Sequence, residues 1–453
     1  MVRSIESALM REWVNRLAEA GELLVAEREV DPRFELAAVT KRAQQAGNRP
    51  ILFRNVRGTR LEVVTNLFAD AERLRSLVPV KDGPFAAAYA GMLDAAESRV
   101  GPPAREALMP GDLQEGQLAD LPLITYHERD AGPYFTAAIV LARDPDTGVP
   151  NLSFHRAMHA GPRELRLRLG DSHDLTNYQR RAEESGQALP VALLIGVPPP
   201  VFMAAGTHLP AGVDEYALAA ELMGQQVDVY SGAVTGLPVP AAAEVVIEGR
   251  ILPMERRLEG PFGEVLGYYV PEAPNHVMEV ERVAWRRDAL FHSLLCGSRE
   301  DLAPLEAINA ARVYRDLTRR LPGIVNVSCA PAFMNTTVQI RPQYAGHARD
   351  VMDAVFDSHA DYNQLCCVVE EDVDLHDMNA VIHAFITRGR VDKRARIVAG
   401  RAGFYRDAQD DFAGRLGLDA TRPFGREDEF VSKQVPGLDA IRLEDYLTRG
   451  SRR

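Results

Sequence analysis

The middle of the chain reads as a series of short β-strands, and this series constrains the fold more than any other feature. Apolar or alternating runs occur at residues 135–142, 151–158, 163–169, 190–197, 243–251, 265–270, 276–285 and 289–296. Alternation of apolar and polar residues is typical of half-buried strands. One helical stretch, Glu215–Met223, interrupts the series. Many antiparallel strands with a single helical excursion predict a barrel-like sheet.

The segments on either side of this sheet alternate between helix and strand, so we predict a mixed α/β (α+β) chain of several domains. A chain of 453 residues is also too long for one ordinary hydrophobic core. The predicted domains are an N-terminal α/β domain at 1–118, a central domain at 119–302, a linker helix at 303–321 and a C-terminal α/β domain at 322–453.

Composition excludes several classes of function. The formal net charge of -12 argues against general nucleic-acid binding, which needs a basic surface. No apolar run approaches the roughly 20 residues of a membrane helix. The opening residues, MVRSIESALMREW, lack the uninterrupted apolar core of a signal peptide. We therefore expect a cytoplasmic protein that binds neither nucleic acid nor membrane.

Two short strings carry the groups needed for proton chemistry. One, N-L-S-F-H-R, ends at Arg156, and the other, E-G-P-F-G-E, places Glu259 and Glu264 around a Pro-Phe-Gly turn. A buried carboxyl group near a second carboxylate has a raised pKa and can donate a proton near neutral pH. Arginine can hold one of the two as a carboxylate through a bidentate contact. The glutamates alone would equally fit an exposed hairpin, but both strings together favour a catalytic site.

Motifs of other cofactor classes are missing from the sequence. It has no G-x-G-x-x-G after a strand, no Walker P-loop and no G-x-S-x-G elbow. No lysine sits in a recognisable Schiff-base setting. An enzyme that stabilises a carbanion without lysine-bound pyridoxal needs another electron sink.

The two strings, in this order, resemble the UbiD-like decarboxylases, which use prenylated flavin mononucleotide (prenylated FMN) to remove CO2 from unsaturated or aromatic acids. The resemblance extends over nearly the whole chain, through residues 13–31, 64–68, 196–199, 248–249 and 369–374. It implies an N-terminal α/β domain, a central split β-barrel of flavin-reductase type, a linker helix and a C-terminal α/β oligomerisation domain. The chain departs from many relatives at 421–426, which puts the packing of the tail and the oligomeric state in question.

The resemblance also implies roles for individual residues. Arg156, Glu259 and Glu264 match the catalytic trio, with Glu264 as the proton donor and the other two positioning the cofactor. A metal, Mn2+ or Mg2+, would anchor the cofactor phosphate, with K+ beside it. The implied metal ligands are Asn151, His173 and Glu244, and the implied cofactor-binding residues are Asn151, Ser153, Phe154, His155, Arg156, His173 and Glu244. Without the resemblance, His173 would read as a turn histidine and Glu244 as a strand-edge glutamate.

The function implied is a reversible, non-oxidative decarboxylase of an aromatic, heteroaromatic or α,β-unsaturated carboxylic acid. His292 and Arg299 are candidates to bind a second polar group of the substrate, although both could instead make local hydrogen bonds. A furan or pyrrole carboxylate is our preferred substrate, with polyketide-derived or larger aromatic acids as alternatives. The expected partners are a flavin prenyltransferase, which supplies the cofactor, and further copies of the chain in a homodimer or homohexamer.

Two other functions fit parts of the sequence. A flavin-binding or flavin-reductase-like protein without decarboxylase activity would explain the β-rich middle, but not the presence of the arginine and both glutamates. A metal-dependent decarboxylase or hydrolase that needs no flavin would be active with metal alone.

Overall fold

The computed structural model describes residues 9–79, 82–170, 173–210, 212–358, 363–400, 414–431 and 433–446. Residues 1–8, part of the N-terminal stretch considered above, lie outside the described residues. The chain divides into two compact units, one of residues 1–319 with 326–336 and the other of residues 320–325 with 337–453.

The first hundred or so residues alternate short helices and strands. The first helix forms because Met10, Trp13, Val14 and Leu17 repeat at helical spacing and are all buried. It ends just before Gly21, which takes a positive φ of 71°. The elements are α1 Met10–Glu19, β1 Leu24–Ala26, α2 Glu35–Gln45, β2 Ile51–Phe53, β3 Glu62–Thr65, α3 Ala71–Ser76, α4 Phe85–Glu97, β4 Ala104–Glu106 and β5 Leu113–Gly116.

The central part is rich in strands, with three helices between them. Its elements are β6 Tyr134–Phe135, β7 Ile139–Arg143, β8 Pro150–Phe154, β9 Ala157–Gly161, β10 Glu164–Leu167, α5 Asp174–Glu184, β11 Leu189–Ile195, α6 Pro199–Ala205, α7 Glu215–Met223, β12 Val227–Ser231, β13 Pro238–Pro240, β14 Val245–Glu259, β15 Phe262–Gly263, β16 Tyr269–Val270, β17 Ala273–Arg286 and β18 Leu290–His292. The predicted helix at Glu215–Met223 is confirmed.

These strands form a nine-stranded sheet in the order β6-β9-β10-β17-β14-β11-β7-β8, with β5 paired to β17. The pairings within it are antiparallel. Smaller sheets have the orders β1-β2-β3-β18, β13-β12-β4 and β15-β16. The antiparallel pairing predicted from alternation is therefore confirmed.

The long strands β14 and β17 set the position of the candidate site. They pair along most of their length, with irregular register between Glu248 and Gly249 and between Ile251 and Arg256. Strand β14 continues past the predicted end at residue 251 and brings Glu259 to its last position. The residues that extend it are largely exposed, so the burial signal that marks a half-buried strand is absent there.

Helix α8 belongs to the first unit except for its last residue, and most of the other remaining elements belong to the second unit, which contains most of a five-stranded sheet in the order β19-β20-β21-β23-β22. They are α8 Arg299–Arg320, β19 Ile324–Ser328, β20 Asn335–Ile340, α9 His347–Ser358, β21 Leu365–Glu370, α10 Met378–Thr387, α11 Val391–Arg394, β22 Ala395–Val398 and β23 Arg415–Asp419. The predicted mixed helix-and-strand architecture is confirmed. Among the described residues, no helix is long and apolar enough to cross a membrane.

Candidate functional site

A buried ion pair joins the two sequence strings. Arg156 lies between β8 and β9, and Glu259 is the last residue of β14. The Arg156 Nε donates to Glu259 Oε1 at 2.9 Å and its Nη2 donates to Oε2 at 2.7 Å. The side chains are 8% and 0% exposed. The fold thus brings these residues together in the bidentate geometry that makes an arginine–carboxylate contact strong and directional.

Two further donors saturate the Glu259 carboxylate. The Tyr134 hydroxyl donates to Oε1 at 2.8 Å, and the Asn275 amide donates to Oε2 at 2.9 Å. Burial, and then the charge of Glu259, raises the pKa of Tyr134, so this hydroxyl keeps its proton and remains a donor. A carboxylate that accepts four hydrogen bonds is stabilised in its charged form. Glu259 is therefore suited to holding Arg156 and not to donating a proton.

The guanidinium of Arg156 has one edge left for a ligand. Its Cζ lies 4.8 Å from the centroid of the Phe262 ring, which itself packs against Tyr134. Burial opposes the charge of Arg156, but Glu259 more than offsets this and raises its pKa. The buried Nη1 has no hydrogen-bond partner among the described residues. Buried donors are nearly always satisfied, so this atom marks a place for an acceptor atom of a cofactor or substrate.

Glu264 stands on a turn that a neighbouring loop holds in place. The backbone N–H of Gly263 donates to Asp130 Oδ1 at 2.8 Å, and that of Ala131 donates to the Pro261 carbonyl at 2.9 Å. A Cβ on Gly263 would lie 2.4 Å from His127 Nδ1, so the close approach of the loop requires glycine here. Glu264 is close enough to Arg156 for its charge to raise the arginine's pKa. Its carboxyl group has no hydrogen-bond partner in the described part of the chain.

The predicted cofactor-binding residues of β8 also cluster. Ser153 Oγ lies 3.1 Å from Asn151 Oδ1 and 3.0 Å from His155 Nε2. Burial, and then the nearby His173, lowers the pKa of His155 to about 3, so this imidazole is neutral. Its Nδ1 is 3.1 Å from the Arg168 carbonyl, which can only accept, so the proton is on Nδ1. Ser153 Oγ donates to Asn151 Oδ1 and so orients this oxygen, whose second lone pair is left for a cation.

His173 joins this cluster from the start of α5. Its ring centroid is 5.0 Å from that of His155. Burial, and then the neighbouring His208, lowers the pKa of His173, which keeps it neutral, as a metal ligand must be. The structure therefore brings His173 into the cluster that contains Asn151, as the predicted ligand set requires.

Glu244, the third predicted metal ligand, is not part of this cluster. Its carboxylate is fully buried and paired with Arg11, whose Nε and Nη2 donate at 2.9 and 2.5 Å. The sheet register sets Asn151 level with Gly249 across two intervening strands, and Glu244 lies five residues further along β14. At about 3.3 Å per residue, that is roughly 16 Å along the strands. The structure therefore does not bring Glu244 to Asn151.

The buried carboxylate beside Asn151 is that of Glu215. Its Oε1 accepts from the Asn151 amide at 3.3 Å, and its Oε2 accepts from the Leu152 backbone N–H at 2.8 Å. Burial, and then the charge of Asp214, raises the pKa of Glu215 well above its usual value. A buried acid with a raised pKa in a polar cluster is typical of a functional site. The sequence signal was an acid in the first turn of α7, which also has the ordinary meaning of a favourable helix start.

An apolar cavity of about 90 Å³ opens in the same unit. Its walls are Thr136, Phe154, Phe202, Gly206, Leu294, Glu300, Asp301, Pro304, Leu305 and Ile308. Phe154, a predicted cofactor contact, is among them. Aromatic and aliphatic walls with a few polar groups are typical of sites for flat organic ligands.

The two candidate substrate residues contact nearby carboxylates of α8. His292 Nε2 lies 3.0 Å from Glu300 Oε1, and Arg299 Nη1 donates to both carboxylate oxygens of Glu306 at 2.9 Å. Neither side chain is among the cavity walls. The structure thus brings neither of them to Arg156 and Glu264, and it supports the alternative of local hydrogen bonds.

Three family models match the chain in succession. They are the N-terminal, Rift-related and C-terminal domains of 3-octaprenyl-4-hydroxybenzoate carboxy-lyase, at residues 14–85, 102–299 and 304–420. Among curated proteins, the anhydromevalonate phosphate decarboxylase of Methanosarcina mazei is 30% identical over 94% of this chain and 99% of its own length.

Solved structures agree with these matches. The UbiD-class enzyme HmfF from Pelotomaculum thermopropionicum, in an evolved dimeric form in complex with prenylated FMN, has a TM-score of 0.88 and 34% identity. The same enzyme in complex with FMN has a TM-score of 0.89. Both alignments cover 97% of this chain and 100% of the solved chain.

Proposed function

The chain belongs to the UbiD family of prenylated-FMN-dependent decarboxylases, and we propose that it catalyses reversible, non-oxidative decarboxylation of an aromatic, heteroaromatic or α,β-unsaturated carboxylic acid. The observation that supports this most directly is the buried Arg156–Glu259 pair beside Glu264. Among the described residues, the buried Arg156 Nη1 has no hydrogen-bond partner and is left for a cofactor atom, and the Glu264 carboxyl group accepts no hydrogen bond and is left to carry a proton. A flavin-binding protein without decarboxylase activity would need neither.

The proposed division of labour follows from the surroundings of each residue. Prenylated FMN, when bound, supplies the electron sink that takes up the electron pair left when CO2 departs. Arg156, fixed by Glu259, orients the cofactor through its free Nη1. Glu264 donates its proton to the carbon that has lost CO2. Glu259 takes no part in proton transfer, because its lone pairs are already engaged.

We propose that Asn151, His173 and Glu215 hold the divalent ion, Mn2+ or Mg2+, that anchors the cofactor phosphate, with K+ beside it. Amide oxygen, neutral imidazole and carboxylate form the mixed, oxygen-rich set that such ions accept. His173 caps α5 and Glu215 opens α7, so two helix N-termini face this cluster, which favours a phosphate. Ser153 and His155 complete the site by fixing the orientation of the Asn151 oxygen.

Exchanging glutamine for each of the two candidate ligand glutamates tests this assignment. We expect Glu215→Gln to lower the bound divalent metal and the co-purified flavin by about tenfold or more, because a charged ligand is lost. Glu244→Gln should leave metal and flavin unchanged, although it unpairs Arg11. The measurement is metal analysis and flavin absorbance of the purified variants. Loss of metal from Glu244→Gln alone would return the ligand role to Glu244.

The substrate is proposed from the cavity and the relatives. The aromatic walls formed by Phe154 and Phe202 suit a flat furan or pyrrole carboxylate. The Methanosarcina mazei relative makes anhydromevalonate phosphate a second candidate. A panel of furan-2-carboxylate, pyrrole-2-carboxylate, cinnamate and anhydromevalonate phosphate, assayed by CO2 release, separates these candidates. In this proposal, His292 and Arg299 do not bind the substrate but support helix α8 through their contacts with Glu300 and Glu306.

Assembly and cofactor supply complete the proposal. We propose the domain boundaries given above, pairing of subunits through the C-terminal domain in a homodimer or homohexamer, and a flavin prenyltransferase as cofactor source. The dimeric form of HmfF supports oligomerisation.

The first experiment is to co-express the chain with a flavin prenyltransferase, denature the purified protein and weigh the released cofactor by mass spectrometry. We expect prenylated FMN. A well-folded protein that releases plain FMN or no flavin would contradict the proposal and favour the flavin-reductase-like or the metal-only alternative.

A further inference from the structure

A second carboxyl group, that of Asp301, faces the cavity close to Glu264. Asp301 lies in the first turn of α8 and is one of the cavity walls. Its Oδ2 accepts from the backbone N–H of Gly297 at 2.8 Å, and the Cys296 thiol also contacts the carboxyl group. The mechanism proposed above gives no role to Asp301.

The adjacent Glu300 has a different role, although it also lines the cavity. Its carboxylate is fully buried and accepts from the backbone N–H groups of Asn66 and Leu67 at 2.5 and 2.7 Å. Its Oε1 also contacts His292. Through these hydrogen bonds, Glu300 joins α8 to the segment after β3. Of these two cavity carboxyl groups, Asp301 is thus the one that remains available to exchange a proton.

Packing ties Asp301 to the Glu264 turn. Gly297, which donates to Asp301, has a φ of 70°, and a Cβ there would lie 3.2 Å from the carbonyl oxygens of both Glu264 and Val265. The backbone that holds Asp301 therefore rests directly on the backbone that presents Glu264.

Burial and the neighbouring carboxylates favour the protonated form of Asp301, whereas its two hydrogen-bond donors, the Gly297 N–H and the Cys296 thiol, favour the charged form. Glu264 and Glu300 face it with negative charge, and Cys296 donates from its thiol. Burial outweighs the hydrogen bonds from Gly297 and Cys296, and with a smaller contribution from the two carboxylates it raises the pKa of Asp301 to about 6. Burial, followed by Asp301 and Glu264, raises the pKa of the Cys296 thiol well above its usual value, so it stays a neutral donor. The positive charge of Arg156 partly offsets this rise in the pKa of Cys296.

The proposed reaction consumes one proton in every turnover. The C–C bond to the carboxylate breaks, CO2 leaves, and the carbon gains the proton of Glu264, which becomes a carboxylate. Glu264 must regain a proton before the next turnover, and the saturated Glu259 cannot supply it. We propose, on the basis of the function above, that Asp301 is the residue that reprotonates Glu264. Asp301 gives its proton to Glu264 and recovers one from solvent, so the sum is RCO2⁻ + H⁺ → RH + CO2.

Asp301→Asn keeps an oxygen for the Gly297 N–H but cannot carry the proton. We expect kcat to fall by about tenfold or more while KM changes by less than about threefold. Wild-type kcat should decline as the pH rises through about 6, because Asp301 loses its proton there, and the variant should lack this step. Acetic acid added to the buffer should restore turnover in the variant, and acetamide should not.

Infrared titration of the holoenzyme supplies a readout that does not depend on turnover. The carbonyl band of a protonated carboxyl group that titrates near pH 6 should be present in the wild type and absent from Asp301→Asn. In Glu264→Gln, the midpoint of this band should move to lower pH, because the neighbouring charge is gone. Asp288→Asn is the matched control, since Asp288 is exposed at a φ of 56°, which asparagine tolerates.

The two arms separate the possible failures. A wild-type holoenzyme that releases no CO2 from any acid of the panel would contradict the proposed function. An Asp301 band whose midpoint is the same in Glu264→Gln, or an Asp301→Asn variant with the kcat and pH profile of the wild type, would overturn the inference about Asp301.

Discussion

Glu264→Gln is expected to lower kcat by about 10²- to 10⁴-fold, the usual contribution of a positioned general acid. Glutamine has nearly the same shape as glutamate but has no acidic proton. The Arg156–Glu259 pair and the Asn151 cluster do not depend on the Glu264 side chain, so the cofactor should still bind. The measurement is kcat for CO2 release from the best acid of the panel, together with the flavin absorbance of the purified variant.

Glu272→Gln is the matched control for this change. Glu272 is exposed on the same loop region, and its substitution removes one carboxylate eight residues further along the chain. We expect it to keep wild-type turnover. A Glu264→Gln variant with full turnover and bound cofactor would show that the proton comes from another group, and Asp301 would then be the first candidate.

The local elements could be predicted from the sequence where the pattern is periodic. Helix α7 was predicted at its observed bounds, and in the structure Asp214 caps its first turn. Helix α8 begins at Arg299, four residues before the predicted start. The prediction missed these residues because the acidic first turn lacks the apolar repeat that marks the rest of the helix. That shift is why Asp301 was not recognised as part of a helix that lines the cavity.

Helix α6 was missed because its sequence carries the opposite signal. Pro198, Pro199 and Pro200 read as a break, but proline is well tolerated in the first turn of a helix, where its missing N–H would have no partner. The following residues, through Ala205, are buried on all sides and show no amphipathic period. Phe202, a wall of the cavity, therefore escaped the sequence analysis.

The site could be predicted only as far as local strings extend. The strings ending at Arg156 and Glu264 place their residues within a few positions of one another. Tyr134 and Asn275, which complete the bonding of Glu259, come from distant strands and have no local signal. Glu215 and Glu244 are both acids next to apolar segments, and only the strand register decides which one reaches Asn151.

We expect the second large effect from substitutions in the Arg156–Glu259 pair, which should lower stability as well as activity. Arg156→Met leaves a buried carboxylate without its counter-charge, and Glu259→Gln leaves a buried guanidinium without one. Each single change should lower the free energy of unfolding by about 3–5 kcal/mol. Trp13 and Trp285 both lie in the first unit, so tryptophan fluorescence during urea unfolding reports on the unit that contains the pair.

The exposed pair Arg250–Glu279 provides the control for these changes. Its Nη2–Oε2 distance of 2.7 Å equals that of the buried pair, but its side chains are 47% and 42% exposed. Arg250→Met should therefore cost no more than about 1 kcal/mol, because water screens and solvates both charges.

The double variant Arg156→Met/Glu259→Gln separates the structural role of the pair from its functional role. It buries no unpaired charge, so its loss of stability should be smaller than the sum of the two single losses by about 0.5–3 kcal/mol. Turnover should not recover with stability, because the Nη1 donor for the cofactor is gone. If the double variant regained both stability and turnover, Arg156 would serve only to neutralise Glu259, and its proposed contact with the cofactor would be wrong.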